Sequence, residues 1–167
     1  EIEKRRYLGY LEAHIEQGCY LEEANEKIGI VTAIVGIRGL IISFKGEQNH
    51  AGTTTMKRRK DAATAMFETA YRINTQFPPL ARETTVWTLG NATVEPGASS
   101  IVPGAAELTL QFRDQDEGVL DALEHEVKKI VEDIRSREEI LIDVRPGREV
   151  IRPSMMDKNF QTFLAGQ

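Results

Sequence analysis

The alternation of two hydrophobic periods along the chain constrains its fold most strongly. Between Leu40 and Val150, segments with an apolar side chain at every second residue alternate with segments where apolar side chains recur every three or four residues. The first pattern is typical of a strand with one buried face, and the second of a helix with one buried stripe. Their order is strand, helix, strand, strand, helix, strand. It predicts an α+β domain with the ferredoxin-like β-α-β-β-α-β arrangement.

The predicted elements of this unit can form a two-layer structure. The strands are expected over residues 40–45, 84–94 (bulged or bent near Gly90), 105–113 and 140–144, and the first helix over residues 56–77. The apolar stripe of the second helix extends from Val119 to Ile134. Asp114 or Asp116 is a suitable N-cap for the second helix. Both helices can cover one face of a four-stranded antiparallel sheet, which leaves a polar face that carries Arg113. Such an open face requires another subunit or a neighbouring domain.

The flanking segments do not complete a fold of their own. A helix is predicted over residues 1–12, turns at Gly18 and residues 25–29, and an extended segment over residues 28–37. The simplest interpretation is that the β-α-β-β-α-β unit is inserted in a larger domain, to which both flanks belong.

The composition of the chain excludes some classes of binding partner. The 167 residues carry a net charge of -5, which argues against a nucleic-acid surface. The basic run at residues 57–60 is predicted to be a solvated first helical turn, with an anion-binding groove as the alternative. The single cysteine fits a reducing compartment, and neither a signal peptide nor an apolar run of about 18 residues is present. These features predict a cytoplasmic protein that does not enter a membrane.

Chemically capable side chains concentrate in three segments. Residues 12–18 place His14 beside acidic residues and Gln17, which suits a metal ligand with a substrate-contacting neighbour or, alternatively, a surface histidine. Residues 46–56 place His50 at a strand-to-helix junction, where it can stabilise an oxyanion or lie beside a helix-capping loop. Arg113, after the Pro-Gly-rich loop of residues 95–104, suits a substrate carboxylate, and a surface ion pair with Asp114 or Asp116 is the alternative.

Four strings of these segments together resemble one protein family. They read YLEAHIEQG, GEQNHAGTTTM (with RRKDA just after), VEPGASSIVPG and ELTLQFRD. The chain resembles M20 metallopeptidase-type amidohydrolases, in the branch of N-carbamoyl-L-amino-acid hydrolases, allantoate amidohydrolases and β-ureidopropionases. The similarity covers nearly the whole chain.

The resemblance implies a two-domain subunit that binds two divalent metal ions, Zn or Mn. Residues 1–37 are then a fragment of the first half of a catalytic α/β domain, residues 38–150 the lid through which subunits form a homodimer, and residues 151–167 the return into the catalytic domain. It also implies site roles. These are a metal ligand (His14), substrate contacts (Gln17 and Arg113) and a lid histidine that stabilises the tetrahedral intermediate in the partner's site (His50).

The sequence departs from the family pattern at three positions. Cys19, Thr55 and Ser100 stand where the family commonly has Pro, Pro and Asn, so the substrate contact at Ser100 is in doubt. Cys19 is expected to be a buried spectator thiol, with a soft metal ligand or a redox liability as alternatives. His14 alone cannot hold two metal ions. The third histidine, His125, is interpreted as a surface residue.

The resemblance predicts hydrolysis of the C–N bond of a ureido (N-carbamoyl) or related amide group on a small carboxylate-bearing substrate. The isolated chain is expected to be inactive and dimeric, because most metal ligands lie outside it. Two alternatives stay open. One is a stand-alone ferredoxin-like module for dimerisation or small-molecule binding, and the other is an M20 aminoacylase or peptidase.

Overall fold

A computed structural model describes residues 6–166, which form two compact units. Residues 32–157 form the larger unit, and residues 6–31 with 158–166 form the smaller one. The helices and strands of the larger unit are β1 Ala33–Ile34, β2 Gly36–Lys45, β3 Asn49–His50, a 3₁₀ turn Met56–Arg58, α2 Ala62–Gln76, β4 Val86–Glu95, β5 Ile101–Val102, β6 Ala105–Asp114, α3 Glu117–Glu138, β7 Leu141–Pro146 and β8 Ser154–Met155. The smaller unit contains α1 Tyr20–Glu23 and α4 Lys158–Ala165. Within the described residues, no helix combines the length and hydrophobicity that a membrane span requires.

The main sheet has four antiparallel strands in the order β4-β6-β2-β7. The central pair runs in continuous register from Gly36 opposite Asp114 to Lys45 opposite Ala105. This order, with α2 and α3 as the two crossovers, is the ferredoxin-like topology. The predicted fold is therefore confirmed.

The hydrophobic core lies between one face of this sheet and the two helices. The buried side chains alternate along the central strands, as Leu108, Leu110 and Phe112 do in β6. Phe77, at the end of α2, packs edge-to-face against Trp87 and Phe112. The larger set of buried apolar residues comprises Leu40, Ile42, Phe44, Ala62, Ala65, Met66, Ile73, Phe77, Ala106, Leu108, Leu110, Phe112, Leu120, Leu123, Val127, Ile130, Val131, Ile134, Ile140 and Ile142. The alternate residues of β2 and β6 form the open face, which carries polar side chains together with Ile37 and Ile41.

Two local predictions are confirmed by the strand registers and caps. β4 carries an irregularity between Leu89 and Asn91, where the pairing with β6 shifts by one residue. Asp116 is the N-cap of α3, and its side chain accepts hydrogen bonds from the backbone N–H groups of Gly118 and Val119. Both features could be predicted from the sequence because their causes are local. A glycine favours a bulge beside it, and a carboxylate caps the N-terminus of the helix that follows it.

Two helix predictions were wrong. Residues 6–12 are not helical, and residues 1–5 lie outside the described part of the chain. The helix predicted over residues 56–77 is divided: Arg59 has extended backbone angles, and α2 begins only after Asp61. The side chain of Asp61 accepts hydrogen bonds from the N–H groups of Ala63 and Thr64, so it caps α2 and fixes the start of the helix.

A close backbone contact joins the end of β2 to the start of α2. The Glu47 N–H group donates to the Lys60 carbonyl over 2.8 Å, while the Gly46 N–H group donates to the Gly104 carbonyl over 2.8 Å. A Cβ atom at Gly46 would lie 1.9 Å from the Lys60 carbonyl oxygen. Only glycine therefore fits at this joint, which supports the loop between β2 and α2.

Replacing Gly46 with alanine should destabilise the protein by roughly 1–3 kcal/mol, because backbone atoms must move apart to admit the methyl group. The free energy of unfolding in urea measures this loss. Gly90→Ala is the matched control, since a Cβ atom there meets only Thr88 Cγ2 at 3.8 Å, an ordinary contact. Equal stability of the two variants would contradict the contact described at Gly46.

Candidate functional site

The ribbon formed by β2 and β6 continues beyond the sheet and carries the predicted site residue His50. His50 pairs with Ile101, and Asn49 with Val102, in the two-residue strands β3 and β5. The Ala51 N–H group donates to the Ser100 carbonyl over 2.9 Å. The structure thus brings two of the predicted site residues, His50 and Ser100, to the same tip of the ribbon, where both are exposed.

Local hydrogen bonds orient the His50 ring. The Gly52 N–H group donates to His50 Nδ1 over 3.1 Å. A ring nitrogen that accepts a hydrogen bond has no proton, so the neutral imidazole carries its proton on Nε2. The Thr54 N–H group donates to the His50 carbonyl over 3.1 Å and closes a tight turn. His50 therefore presents an Nε2–H donor to solvent from a defined turn, which is the form that can stabilise an oxyanion.

Arg113 lies at the opposite end of the same ribbon. It is exposed near the end of β6, where it pairs with Ile37 of β2 and Val86 of β4. Its Nε and Nη2 atoms both donate to Gln111 Oε1, over 2.9 and 2.7 Å. Gln111 is two residues away on the same face of the strand, so it fixes the plane of the guanidinium while the Nη1 edge stays directed away from it. This geometry suits a bidentate contact with a carboxylate.

The alternative ion pairs for Arg113 do not form among the described residues, because both aspartates have other partners. Asp114 is fully buried and accepts hydrogen bonds from Thr85 Oγ1 and from the Asp116 N–H group. The backbone N–H groups of Gly118 and Val119 lower the pKa of Asp116, and Arg82 adds to the effect. Gln111 was not recognised as a support of Arg113 from sequence. Its position two residues before Arg113, on the same face of the strand, is a signal that could have indicated it.

The remaining predicted site residues, His14 and Gln17, belong to the smaller unit. His14 is exposed, and its Nδ1 atom lies 2.6 Å from the Ile15 carbonyl oxygen, to which it can only donate. That hydrogen bond leaves the Nε2 lone pair for another interaction. Gln17 adopts a left-handed backbone conformation, with φ of 57°. A non-glycine residue in this region is held there by its surroundings, as functional loops often require.

His14 could supply one ligand to a metal ion, but the described residues do not form a complete metal site. Within residues 6–166, no group of three or more His, Cys, Asp or Glu side chains could hold a metal. His14 nevertheless has the arrangement of a single ligand, since metal-binding histidines usually donate their other ring N–H group to an oxygen. His125 is exposed on α3, as expected for a surface residue.

The prediction that Cys19 is buried was wrong, since its side chain is exposed at the N-terminus of α1. Beside it, Glu16 accepts hydrogen bonds from the Tyr20 and Leu21 N–H groups at the start of α1. A hydrogen bond to Glu23 raises the pKa of the Cys19 thiol, which keeps it protonated and weakly nucleophilic.

The fold and these loops define a ferredoxin-like domain that presents polar side chains at both ends of its sheet. Residues 32–139 match the sequence model of the M20 peptidase dimerisation domain. The chain therefore belongs to the M20 dimerisation-domain family, and the resemblance inferred from the four strings is confirmed.

Individual relatives agree with this assignment. An N-carbamoyl-L-amino-acid amidohydrolase of Paenarthrobacter aurescens is 38% identical over 135 residues, which cover 81% of this chain and 32% of the relative. An allantoate amidohydrolase of Bacillus subtilis is 34% identical over 125 residues, which cover 75% of this chain and 30% of the relative. The crystal structure of a hydantoinase/carbamoylase family amidase from Burkholderia phymatum has a TM-score of 0.86 and 40% identity, covering 92% of this chain and 38% of that one. The chain thus spans about a third of the length of these curated relatives.

Replacing Asp114 with alanine should destabilise the larger unit by about 2–3 kcal/mol, because the buried Thr85 hydroxyl and the part-buried Asp116 N–H group lose their acceptor. Thermal or urea unfolding measures the change. Asp143→Ala, on an exposed position of β7, is the control and should change stability by less than about 0.5 kcal/mol. If Asp114→Ala is as stable as the control, Asp114 is not the anchor of the β6–α3 turn.

Proposed function

We propose that this chain is the lid and adjoining part of a metal-dependent amidohydrolase that cleaves C–N bonds of ureido groups on small carboxylate-bearing substrates, such as N-carbamoyl amino acids or allantoate. The observation that carries the proposal is the His50 turn, which presents an Nε2–H donor at the tip of the ribbon. The names of the relatives from Paenarthrobacter and Bacillus supply the substrate class.

Each site residue has a role that its chemistry supports. The Nε2–H group of His50 would donate to the oxygen on which negative charge develops when a carbonyl is attacked. Arg113, held by Gln111, would bind the substrate carboxylate through its free edge. Ser100, beside His50, could donate one hydroxyl hydrogen bond to the substrate, and Gln17 an amide contact.

The positions of His50 and Arg113 favour a site shared by two subunits. Along β6, Ala105 and Arg113 lie about 27 Å apart at roughly 3.4 Å per residue, and the His50 turn continues the ribbon beyond Ala105. A ureido amino acid is too short to contact both side chains of one chain. We therefore infer that His50 of one subunit and Arg113 of the other serve the same substrate.

His14 would be one ligand of the metal centre through its Nε2 atom, and the other ligands would come from the part of the subunit outside this chain. Divalent ions bound there, such as zinc or manganese, would activate water and polarise the scissile carbonyl. Hydrogen bonding of His14 Nδ1 to the Ile15 carbonyl would keep the ring in the tautomer that can bind a metal.

The surface of the smaller unit supports the inference that the chain is part of a longer subunit. The exposed fractions of Leu8, Ile15 and Ile28 are 102%, 75% and 84%. Large apolar side chains exposed together usually mark an interface. We propose that the rest of the catalytic domain covers them, which accords with the relatives being about three times as long.

The catalytic proposal is tested by hydrolysis of N-carbamoyl amino acids, allantoate, N-acyl amino acids and dipeptides with added Mn²⁺ or Zn²⁺. We expect no turnover by the 167-residue chain, and turnover of the ureido substrates by the longer polypeptide that carries this sequence in its native source. In that enzyme Arg113→Ala should raise KM by about 10-fold or more, because a charge-assisted contact with the substrate is lost.

Other results would separate the alternatives. Turnover by the isolated chain would show that its residues suffice for catalysis, against the proposal. A preference for N-acyl or peptide substrates would indicate an aminoacylase or peptidase. A native polypeptide of 18.7 kDa, the mass of the chain itself, would indicate a stand-alone binding module.

The structure also offers a surface for the homodimer that we propose. β4 is an edge strand of the sheet, so one side of its backbone has no partner strand among the described residues. On α2, Phe67 and Tyr71 are 61% and 68% exposed. Asn74, on the same helical side, accepts a hydrogen bond from Trp87 Nε1 of β4 over 2.9 Å, so this side of α2 lies along the free edge.

Two copies of this surface can pair about a two-fold axis. Antiparallel pairing of β4 with its copy would extend the sheet, while the aromatic side chains of α2 would pack against their copies. The opposite side of α2 is already occupied, because Arg72 and Glu68 form ion pairs with Asp133 and Arg137 of α3. We propose that the free edge of β4 and this side of α2 are the dimer interface.

Phe67→Arg combined with Tyr71→Arg should convert the dimer to a monomer, because two pairs of charges would face one another across the axis. Sedimentation velocity of the 167-residue chain measures the change. Leu141→Arg is the control, since Leu141 is 69% exposed on the edge strand β7 at the other side of the sheet. Dissociation by Leu141→Arg alone would place the interface at β7 instead.

A further inference from the structure

We propose that Arg59 is the positioning residue that holds the His50 ring in place for its role as an oxyanion donor. The inference rests on the role proposed for His50. It arises from the basic run at residues 57–60, which the sequence predicts to be a solvated helical turn. Arg59 departs from that prediction, because its side chain turns inward and is half-buried, whereas Lys57 and Arg58 are exposed.

The guanidinium of Arg59 joins the two ends of the His50 turn. Its Nη2 atom donates to the Ala51 carbonyl over 2.6 Å, and its Nε atom donates to the Thr54 carbonyl over 3.1 Å. These carbonyls lie on either side of the exposed residues Gly52 and Thr53. The planar fork of an arginine can bind two acceptors at a fixed separation, so it sets the distance across the turn.

The turn set by Arg59 is the one that orients the imidazole. The Gly52 N–H group donates to His50 Nδ1 and the Thr54 N–H group donates to the His50 carbonyl. The peptide groups that carry these N–H donors adjoin the carbonyls that Arg59 binds. The Ala51 carbonyl in particular belongs to the same peptide group as the Gly52 N–H, so binding one fixes the direction of the other.

The position of Arg59 is in turn determined by the start of α2. Its backbone is extended, with φ of -77° and ψ of 136°. The next residue, Lys60, offers its carbonyl to the Glu47 N–H group, and Asp61 caps the helix. Arg59 therefore connects the fixed start of α2 to the tip of the ribbon by hydrogen bonds. At that tip, strands β3 and β5 are only two residues long and provide little order of their own.

The first test is amide hydrogen exchange of the 167-residue chain by NMR. In Arg59→Ala, protection of the Gly52 and Thr54 amides should fall by about 10-fold, whereas the core amide of Leu110 should be unchanged. Arg59→Lys should give intermediate protection, because an ammonium keeps the charge but not the planar fork. Arg58→Ala removes the same charge from the adjacent exposed position and should leave Gly52 protected.

The proposal fails if Gly52 is equally protected in Arg59→Ala and Arg58→Ala. It also fails if Leu110 loses protection to the same extent as Gly52, since Arg59 would then support the whole fold and not the turn.

The 15N shifts of the His50 ring give an independent readout. Loss of the hydrogen bond to Nδ1 should move that resonance in Arg59→Ala and leave it in place in Arg58→Ala.

The second test measures turnover by the longer enzyme. Arg59→Ala should lower kcat by about 10-fold with KM within about twofold, and His50→Ala combined with Arg59→Ala should be no slower than His50→Ala alone. If Gly52 loses protection while kcat is unchanged, the contact with Arg59 is upheld and the catalytic role of His50 is contradicted. If kcat falls while Gly52 stays protected, Arg59 acts on catalysis by another route and the positioning role is overturned.

Discussion

The pairing of β2 with β6 is the interaction on which the rest of the structure depends. Its register places the core residues of both strands on the face that α2 and α3 cover, and a slip of one residue would turn one strand's set to the other face. The same pairing determines the two ends of the ribbon. One end continues into the His50 turn, and the other ends at Arg113. The core and the candidate site are thus set by a single ladder of backbone hydrogen bonds.

Charged side chains also bind helix α3 to this ladder. Arg38 is 9% exposed on the core side of β2, and its guanidinium binds Asp121 over 2.5 Å and Glu124 over 3.0 Å on α3. Burial raises the pKa of Glu124, but Lys128 and Arg38 outweigh it and the pKa is lowered. A carboxylate with a depressed pKa stabilises the fold above its unfolded-state pKa, and this contribution is lost as the pH falls through the folded-state value. The helix that follows Arg113 is therefore held by charge as well as by packing.

The strands and the fold could be predicted from the sequence because their signals are local and repeated. β6 alternates without interruption, and the bulge at Gly90 and the cap at Asp116 depend on neighbouring residues alone. Two helix predictions failed. Residues 6–12 have a helix-forming composition but no helical structure. The helix predicted from Met56 begins at Ala62, because Asp61 caps it there and the Lys60 carbonyl before the cap accepts a hydrogen bond from the distant Glu47 N–H group. For the candidate site, sequence strings indicated His50 and Arg113, but not that the length of the ribbon separates them. Nor did they indicate the hydrogen bonds of Arg113 with Gln111 and of Arg59 with the His50 turn. Those contacts depend on which side chains the fold brings together.

Residue 55 is threonine where the family resemblance leads us to expect proline, and this difference bears on the role that we propose for Arg59. Thr55 has φ of -62°, the angle that a proline ring would impose. A proline at such a position restricts the unfolded chain and commonly stabilises a protein by about 0.4–1 kcal/mol. With threonine, the backbone here keeps that freedom, and the exposed residues Gly52 and Thr53 add more. The order of the His50 turn must then come from contacts made in the folded state, and the two hydrogen bonds of Arg59 across the turn are among them.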